Sequence, residues 1–303
     1  MRFGITPLDG AYLAKSLNFN NGLVDFSDFR FSEIILDVIN SGFRHCEISL
    51  DLFQILPIEI NKEEQNRIKT IQKEYDFTFS AHFPIYSVEL SSPNKFIREA
   101  SIQSCIDSYN QFRFLEENID VFVIHPTGSF TASIGVLGLD SKINELIYHI
   151  LTNYAVQSVK KIIKTTKIPN SKIAIENIEF PFERTLEIIE KLKGTKLCID
   201  TAHFLGGFSG NVDLIEITES YLDITSEIHL QDYSDEYPSP DHVALGRGNN
   251  FPIKFLELIH EYDFKGPIVF ELGLKHAIES LDFIKKHVPE IKIPEIKNNI
   301  TSK

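Results

Sequence analysis

One pattern constrains this chain more than any other: short apolar runs rich in β-branched and aromatic residues recur eight times, each followed by a segment of helical period. The runs are 2–6 (RFGIT), 43–49 (FRHCEIS), 77–83 (FTFSAHF), 120–126 (DVFVIHP), 172–177 (KIAIEN), 195–200 (TKLCID), 227–232 (EIHLQD) and 267–272 (PIVFEL). Near-continuous apolar character is what strands of a parallel sheet need when both faces are covered. Helices are expected at about 27–41, 59–75, 94–117, 141–166, 181–193, 213–224, 251–263 and 275–288. Ser92 is placed to cap the third of these, with Pro93 in its first turn, where a missing N–H costs nothing. Eight strands alternating with eight helices predict an α/β chain folded as a single (β/α)8 TIM barrel over 1–289, followed by a loosely held polar tail, 290–303. A doubly wound open sheet is the rival topology, weakened because no G-x-G-x-x-G follows the first strand.

Composition narrows the class of protein. Apolar residues at 43% and charged residues at 24% exclude disorder as the main state. No apolar run reaches the roughly 18 residues of a membrane helix, and the start, MRFGITPLDG, does not read as a signal peptide. Cys46, Cys105 and Cys198 show no paired spacing and fit a reducing, cytoplasmic setting. A net charge of −13 argues against a non-specific nucleic-acid partner.

The polar residues then fall where chemistry would be built. Glu47, His82, His125, Glu176, Asp200, His229 and Glu271 all lie at or near the C-terminal ends of expected strands, with His203 three residues past Asp200 and His242 in the loop after strand seven. In a barrel these ends converge on the face that carries active sites. Singly each has an ordinary explanation: His82 as a core histidine, Asp200 as a helix cap, Glu271 as a buried acid paired with a lysine. Together they would repel one another or be desolvated unless a cation or a network balanced them. Carboxylates with imidazoles and no thiolate suit Zn, Mn, Co, Fe or Mg; no organic cofactor is expected. His45, His149, His260 and His287 read as packing or surface residues, and His276 stays open.

These residues also carry a resemblance. The segments SAHFPIYSVELSSPNKFIREASI, VIHPTGSF, IAIENIE, CIDTAHFLGG, IHLQDYSDE, DHVALGRGN and VFEL occur in the order seen in the xylose isomerase-like TIM-barrel superfamily, which holds sugar isomerases and epimerases and the type IV apurinic endonucleases. The resemblance to the isomerases and epimerases implies one divalent metal held by Glu176, Asp200, His229 and Glu271, an enediolate formed by proton loss, and Glu176 and Glu271 as the acid/base pair. His203 would then bond a substrate oxygen. The resemblance to the endonucleases implies zinc-dependent phosphodiester hydrolysis, with His82, His125, His203 and His242 as further metal or substrate ligands. Counted back from Leu245, the aspartate of the endonuclease loop falls on Pro240; Asp241 is shifted by one and could substitute only if the loop kinks. Arg247, standing where many members have Glu, suits a phosphate or carboxylate on the substrate, and Asn177 and Glu47 are further candidates for substrate contact. The leading expectation is a metal-dependent sugar or sugar-phosphate isomerase or epimerase. The alternatives are a zinc phosphodiesterase and a metal-dependent sugar dehydratase. A small-molecule sugar is the expected partner; no membrane is, and a homo-oligomer is left open.

Overall fold

In the computed structural model the strands close into one parallel barrel. The structure describes residues 1–7, 18–20, 23–26, 29–56, 58–135, 137–248 and 251–296. The barrel strands are β1 (Arg2–Ile5), β2 (His45–Ser49), β3 (Thr78–His82), β4 (Ile119–Ile124), β5 (Ile173–Glu176), β6 (Lys196–Asp200), β7 (Thr225–His229) and β8 (Pro267–Phe270). Each pairs with its sequence neighbours, and β1 closes the ring against β8. All eight expected runs therefore became strands, ending up to three residues earlier than the apolar runs. In the first connection Asn18–Asn20 pairs antiparallel with Leu23–Asp25. The first expected helix begins on residues outside those described; from Phe31 it runs to Asn40.

The helices bury one face against the outside of the ring. The third expected helix is Lys95–Phe112, followed by a 3-10 turn, and its cap differs from the expectation. Asn94 accepts the Phe96 N–H, while Ser92 Oγ accepts from the Asn94 backbone one step earlier. Helix Ser141–Thr166 matches its expected bounds, capped by Asp140 and closed by Lys167 at φ 66°. No helix of the described residues is long and apolar enough to cross a membrane. The tail is held further than expected: Ile291 is buried, Ile293 and Ile296 pack on the core, and residues 297–303 lie outside the described residues.

The main apolar core lies between ring and helices, and a second, separate cluster of Val121, Val123, Ala174 and Cys198 fills part of the barrel interior. Strand alternation continues these rows upward: Val123 to His125, Ala174 to Glu176, Cys198 to Asp200. Below them His45 is buried in the barrel, its ring nitrogens 2.8 Å from Thr78 Oγ1 and 3.0 Å from Ser80 Oγ, and burial holds it neutral with its pKa lowered to about 3. Gly4 makes room for that ring; a Cβ there would stand 2.6 Å from His45 Cδ2. All three cysteines are free and buried.

Candidate metal centre

Register places the site. Asp200 at the end of β6 pairs directly with His229 at the end of β7, and Ser49 of β2 with His82 of β3. Glu176 ends β5, while Glu271 and His125 stand one residue past β8 and β4. Glu176 is the hub. Its Oε2 lies 3.0 Å from His82 Nε2 and 3.0 Å from His125 Nε2; its Oε1 lies 3.2 Å from His203 Nδ1 and 3.6 Å from His229 Nδ1.

Hydrogen bonds on the far sides of the rings decide which nitrogens face inward. His82 Nδ1 lies 2.7 Å from the Phe83 carbonyl, which can only accept, so this nitrogen carries the proton and Nε2 faces Glu176. His229 Nε2 lies 3.3 Å from Glu47 Oε2 and donates to it. Its Nδ1 is then left buried without a hydrogen-bond partner, surrounded by Glu271 Oε2 at 3.4 Å, Glu176 Oε1 at 3.6 Å and Asp200 Oδ2 at 3.8 Å. An inward lone pair ringed by three carboxylate oxygens fits a divalent cation, and the all-N/O donor set suits any of the borderline or hard divalent metals. Groups whose ligand atoms lie close enough to hold an ion are His82–His125–Glu176, His82–His229–Glu271, Glu176–Asp200–His203, Glu47–Glu227–His229 and Glu176–Cys198–His229, the last of which would add a thiol sulfur to the donors.

The electrostatics carry the same message. Burial alone would raise the Glu176 carboxyl, yet the facing His125 and His229 hold it well below the ordinary range. Burial would lower His82, but its bond to Glu176 and the charges of Glu47, Glu176 and Glu271 push it up to about 10. His203 is likewise pushed up to about 9, against burial, by Asp200 and Glu176. His125, sharing Glu176 with His82, is lowered by burial. The carboxylates thus draw protons onto the imidazoles wherever no other cation balances them.

Other expected residues sit elsewhere. Asn177 is fully buried, and its amide clamps the β6 end, accepting from the Asp200 N–H at 2.7 Å and donating to the Asp200 carbonyl and Ser209 at 3.2 Å; it faces backbone, not the mouth. Glu47 is also fully buried, behind His229, taking hydrogen bonds from Thr6 Oγ1 at 3.0 Å and from His229. Arg247 reaches back to Glu279 at 2.9 Å, because the helix Leu274–His287 presents that carboxylate beside the loop. Asp241 does approach the site: its Oδ1 is 2.9 Å from His242 Nδ1 and its Oδ2 3.9 Å from His203 Nε2. His242 Nε2 stands 4.0 Å from Glu271 Oε2. His276 lies in the first turn of the last helix.

Two residues were missed from the sequence. Gln231 donates to Asp200 Oδ2 at 2.7 Å and Glu271 Oε2 at 3.2 Å, tying the two carboxylates together. Glu227, two residues before His229 on the same inward row, is fully buried, accepts from Ser80 Oγ at 2.7 Å and has its carboxyl pushed well up by burial and by Glu47. Period-two alternation through His229 reaches both, Glu227 two residues before it and Gln231 two residues after it.

Residues 36–287 match the family described as xylose isomerase-like TIM barrel, most of the chain. The chain belongs to that family. A search of curated protein sequences finds no match. Solved structures with the same fold include a D-tagatose 3-epimerase-like protein, 17% identical over 96% of this chain and 98% of that one, with TM-score 0.67. Endonuclease IV from Thermus thermophilus is 15% identical over 96% and 100%, TM-score 0.65. The 3-keto-D-glucoside 4-epimerase of E. coli is 12% identical over 94% and 99%, TM-score 0.61.

Proposed function

We propose that this chain is a divalent-metal-dependent sugar isomerase or epimerase. The observation that carries the reading is the convergence of Glu176, Asp200 and Glu271 on the unpartnered Nδ1 of His229. A cation held by these four groups supplies Lewis-acid polarisation of neighbouring carbonyl and hydroxyl oxygens. Glu176 and Glu271 come from β5 and β8, three strands apart around the ring, so their carboxylates flank the space above His229 from different sides. This suits removal of a proton from a substrate carbon by one and its return on the other face by the other. Glu271, against the pull of burial, is held in its carboxylate form by His229 and is the more open of the two, ready to accept a proton. Glu176 is fully buried, and His82 and His203 beside it can relay a proton to it. The cavity that opens beside His125 is lined by the carboxylates Glu89 and Glu179, which suit neutral sugar hydroxyls rather than a phosphate.

The test is metal content followed by solvent exchange. Protein reconstituted with Mn, Co or Zn is incubated with ketoses and aldoses in D2O, and carbon-bound deuterium is read by NMR. Metal-dependent exchange that disappears in Glu271→Gln, with the fold intact by circular dichroism, is expected. No divalent metal at the site, or exchange that persists in Glu271→Gln, refutes the reading.

A second reading has its own observation. The approach of Asp241 to His203 and His242, with His82 and His125 both on Glu176, gathers enough ligands for more than one ion and favours a zinc phosphodiesterase. It predicts two or three zinc ions per chain and nicking of abasic duplex DNA; zinc-saturated protein that does not nick excludes it.

A further inference from the structure

Beside the metal centre, a cavity of about 630 Å³ opens between the loops that follow β3, β4 and β5. His125 joins the two, lining the cavity while its Nε2 rests 3.0 Å from Glu176 Oε2. We propose that this cavity is a subsite for a second ring, so that the substrate is a glycoside or disaccharide: Tyr86 and Phe130 cover the C–H face of that ring and Glu179 bonds its hydroxyls. The inference rests on the sugar reading above and specifies its substrate.

Size is the first argument. A volume of this order lies within the roughly 300–1,000 Å³ of sites that enclose drug-sized ligands, and it lies outside the ring of groups around His229.

The lining is the second. Tyr86 is 64% and Phe130 41% exposed, with Ile85 and Ile97 also presenting apolar surface to the same space. Exposed apolar side chains gathered at one concavity mark a binding surface rather than scattered surface residues. A sugar ring offers a weakly polar C–H face together with a rim of hydroxyls, and aromatic faces beside carboxylates complement both.

The third is Glu179. It lines the cavity with its backbone in the left-handed region, φ 58°, which a residue with a Cβ rarely adopts. One of its carboxylate oxygens, Oε2, is buried with no hydrogen-bond partner. Burial and then the charge of Glu89 push its carboxyl up to about 7, so near neutrality it can donate as well as accept. Glu89, by contrast, is already committed, accepting from the Phe130 N–H at 2.9 Å and Thr131 Oγ1 at 3.0 Å, and it braces the cavity wall. Gly128 permits that bracing: a Cβ there would stand 2.4 Å from the Val88 carbonyl and 2.7 Å from Glu89 Oε2.

Binding of D-glucose, D-fructose, maltose and cellobiose to the metal-loaded full chain would be compared by calorimetry and saturation-transfer NMR. At least one two-ring probe should bind about tenfold more tightly than either monosaccharide. Tyr86→Ala and Glu179→Gln should each erase that gain while leaving monosaccharide binding and metal content unchanged; Tyr86 is exposed enough for its truncation to leave folding intact. Two-ring probes that bind no more tightly than the monosaccharides, or a gain that survives both substitutions, overturn the subsite. Monosaccharide turnover without any two-ring gain strikes this inference alone; two-ring binding lost in these variants, from a protein that exchanges no sugar proton, strikes the isomerase reading alone.

Discussion

Glu47→Gln tests the ligand geometry most directly, because Glu47 lies behind His229 and touches no space a substrate could enter. The His229 Nε2–H donates to Glu47 Oε2 across 3.3 Å, and both side chains are fully buried. That bond fixes the tautomer in which Nδ1 offers its lone pair to the three carboxylates. Gln keeps the shape and an acceptor oxygen but removes the charge. A buried bond to a charged partner contributes about 1.5–3 kcal/mol against about 0.5–1.5 kcal/mol for a neutral one. The difference, about 1–1.5 kcal/mol, corresponds to roughly a tenfold loss of metal affinity. Glu47→Leu also strands the Thr6 hydroxyl and the His229 N–H, so its loss should approach a hundredfold, the upper range for residues that orient metal ligands. Competition with a chromogenic chelator measures both, and thermal unfolding of the metal-free variants separates general destabilisation from ligand orientation. Wild-type affinity in Glu47→Gln would refute the assignment of Nδ1 as the inward donor.

Three further outcomes are expected. Burial lowers His229, but Cys198 and then Glu271, Glu47 and Glu176 raise it well above 6.5, so metal binding at Nδ1 must expel a proton; affinity should climb as pH rises, and a flat profile in chelator-buffered titrations would contradict this. Glu179 has a folded-state pKa of about 7 against an ordinary 4.5, so the unfolded chain releases this proton first and stability falls as pH rises from 4.5 to 7. Glu179→Gln should remove up to about 3 kcal/mol of that decline, read as a smaller difference in urea unfolding between pH 5 and 8 than in the wild type; an unchanged difference refutes it. Gly4→Ala forces a Cβ to within 2.6 Å of the His45 ring inside the closed barrel and should cost about 1–3 kcal/mol by urea unfolding, whereas wild-type stability would show that the ring is free to move.

What could be read from the sequence was set by local rules. Apolar periodicity and the placement of acids and imidazoles at strand ends operate over a few residues, so the eight strand–helix units and the positions of Glu176, Asp200, His229 and Glu271 at one end of the barrel were all legible. Which of those side chains face one another was decided only when the ring closed. Closure fixed the register that sets Asp200 beside His229, placed Glu47 behind His229 rather than in the mouth, and let Gln231 bridge Asp200 and Glu271. It also turned Asn177 to the β6 backbone and left Arg247 beside Glu279, two polar residues whose sequence context suggested substrate. The physical reason is range: propensity and pattern act between neighbours in the chain, whereas the partners of a buried charge are chosen among residues brought together from opposite sides of the barrel, such as Glu47 and His229, 182 positions apart.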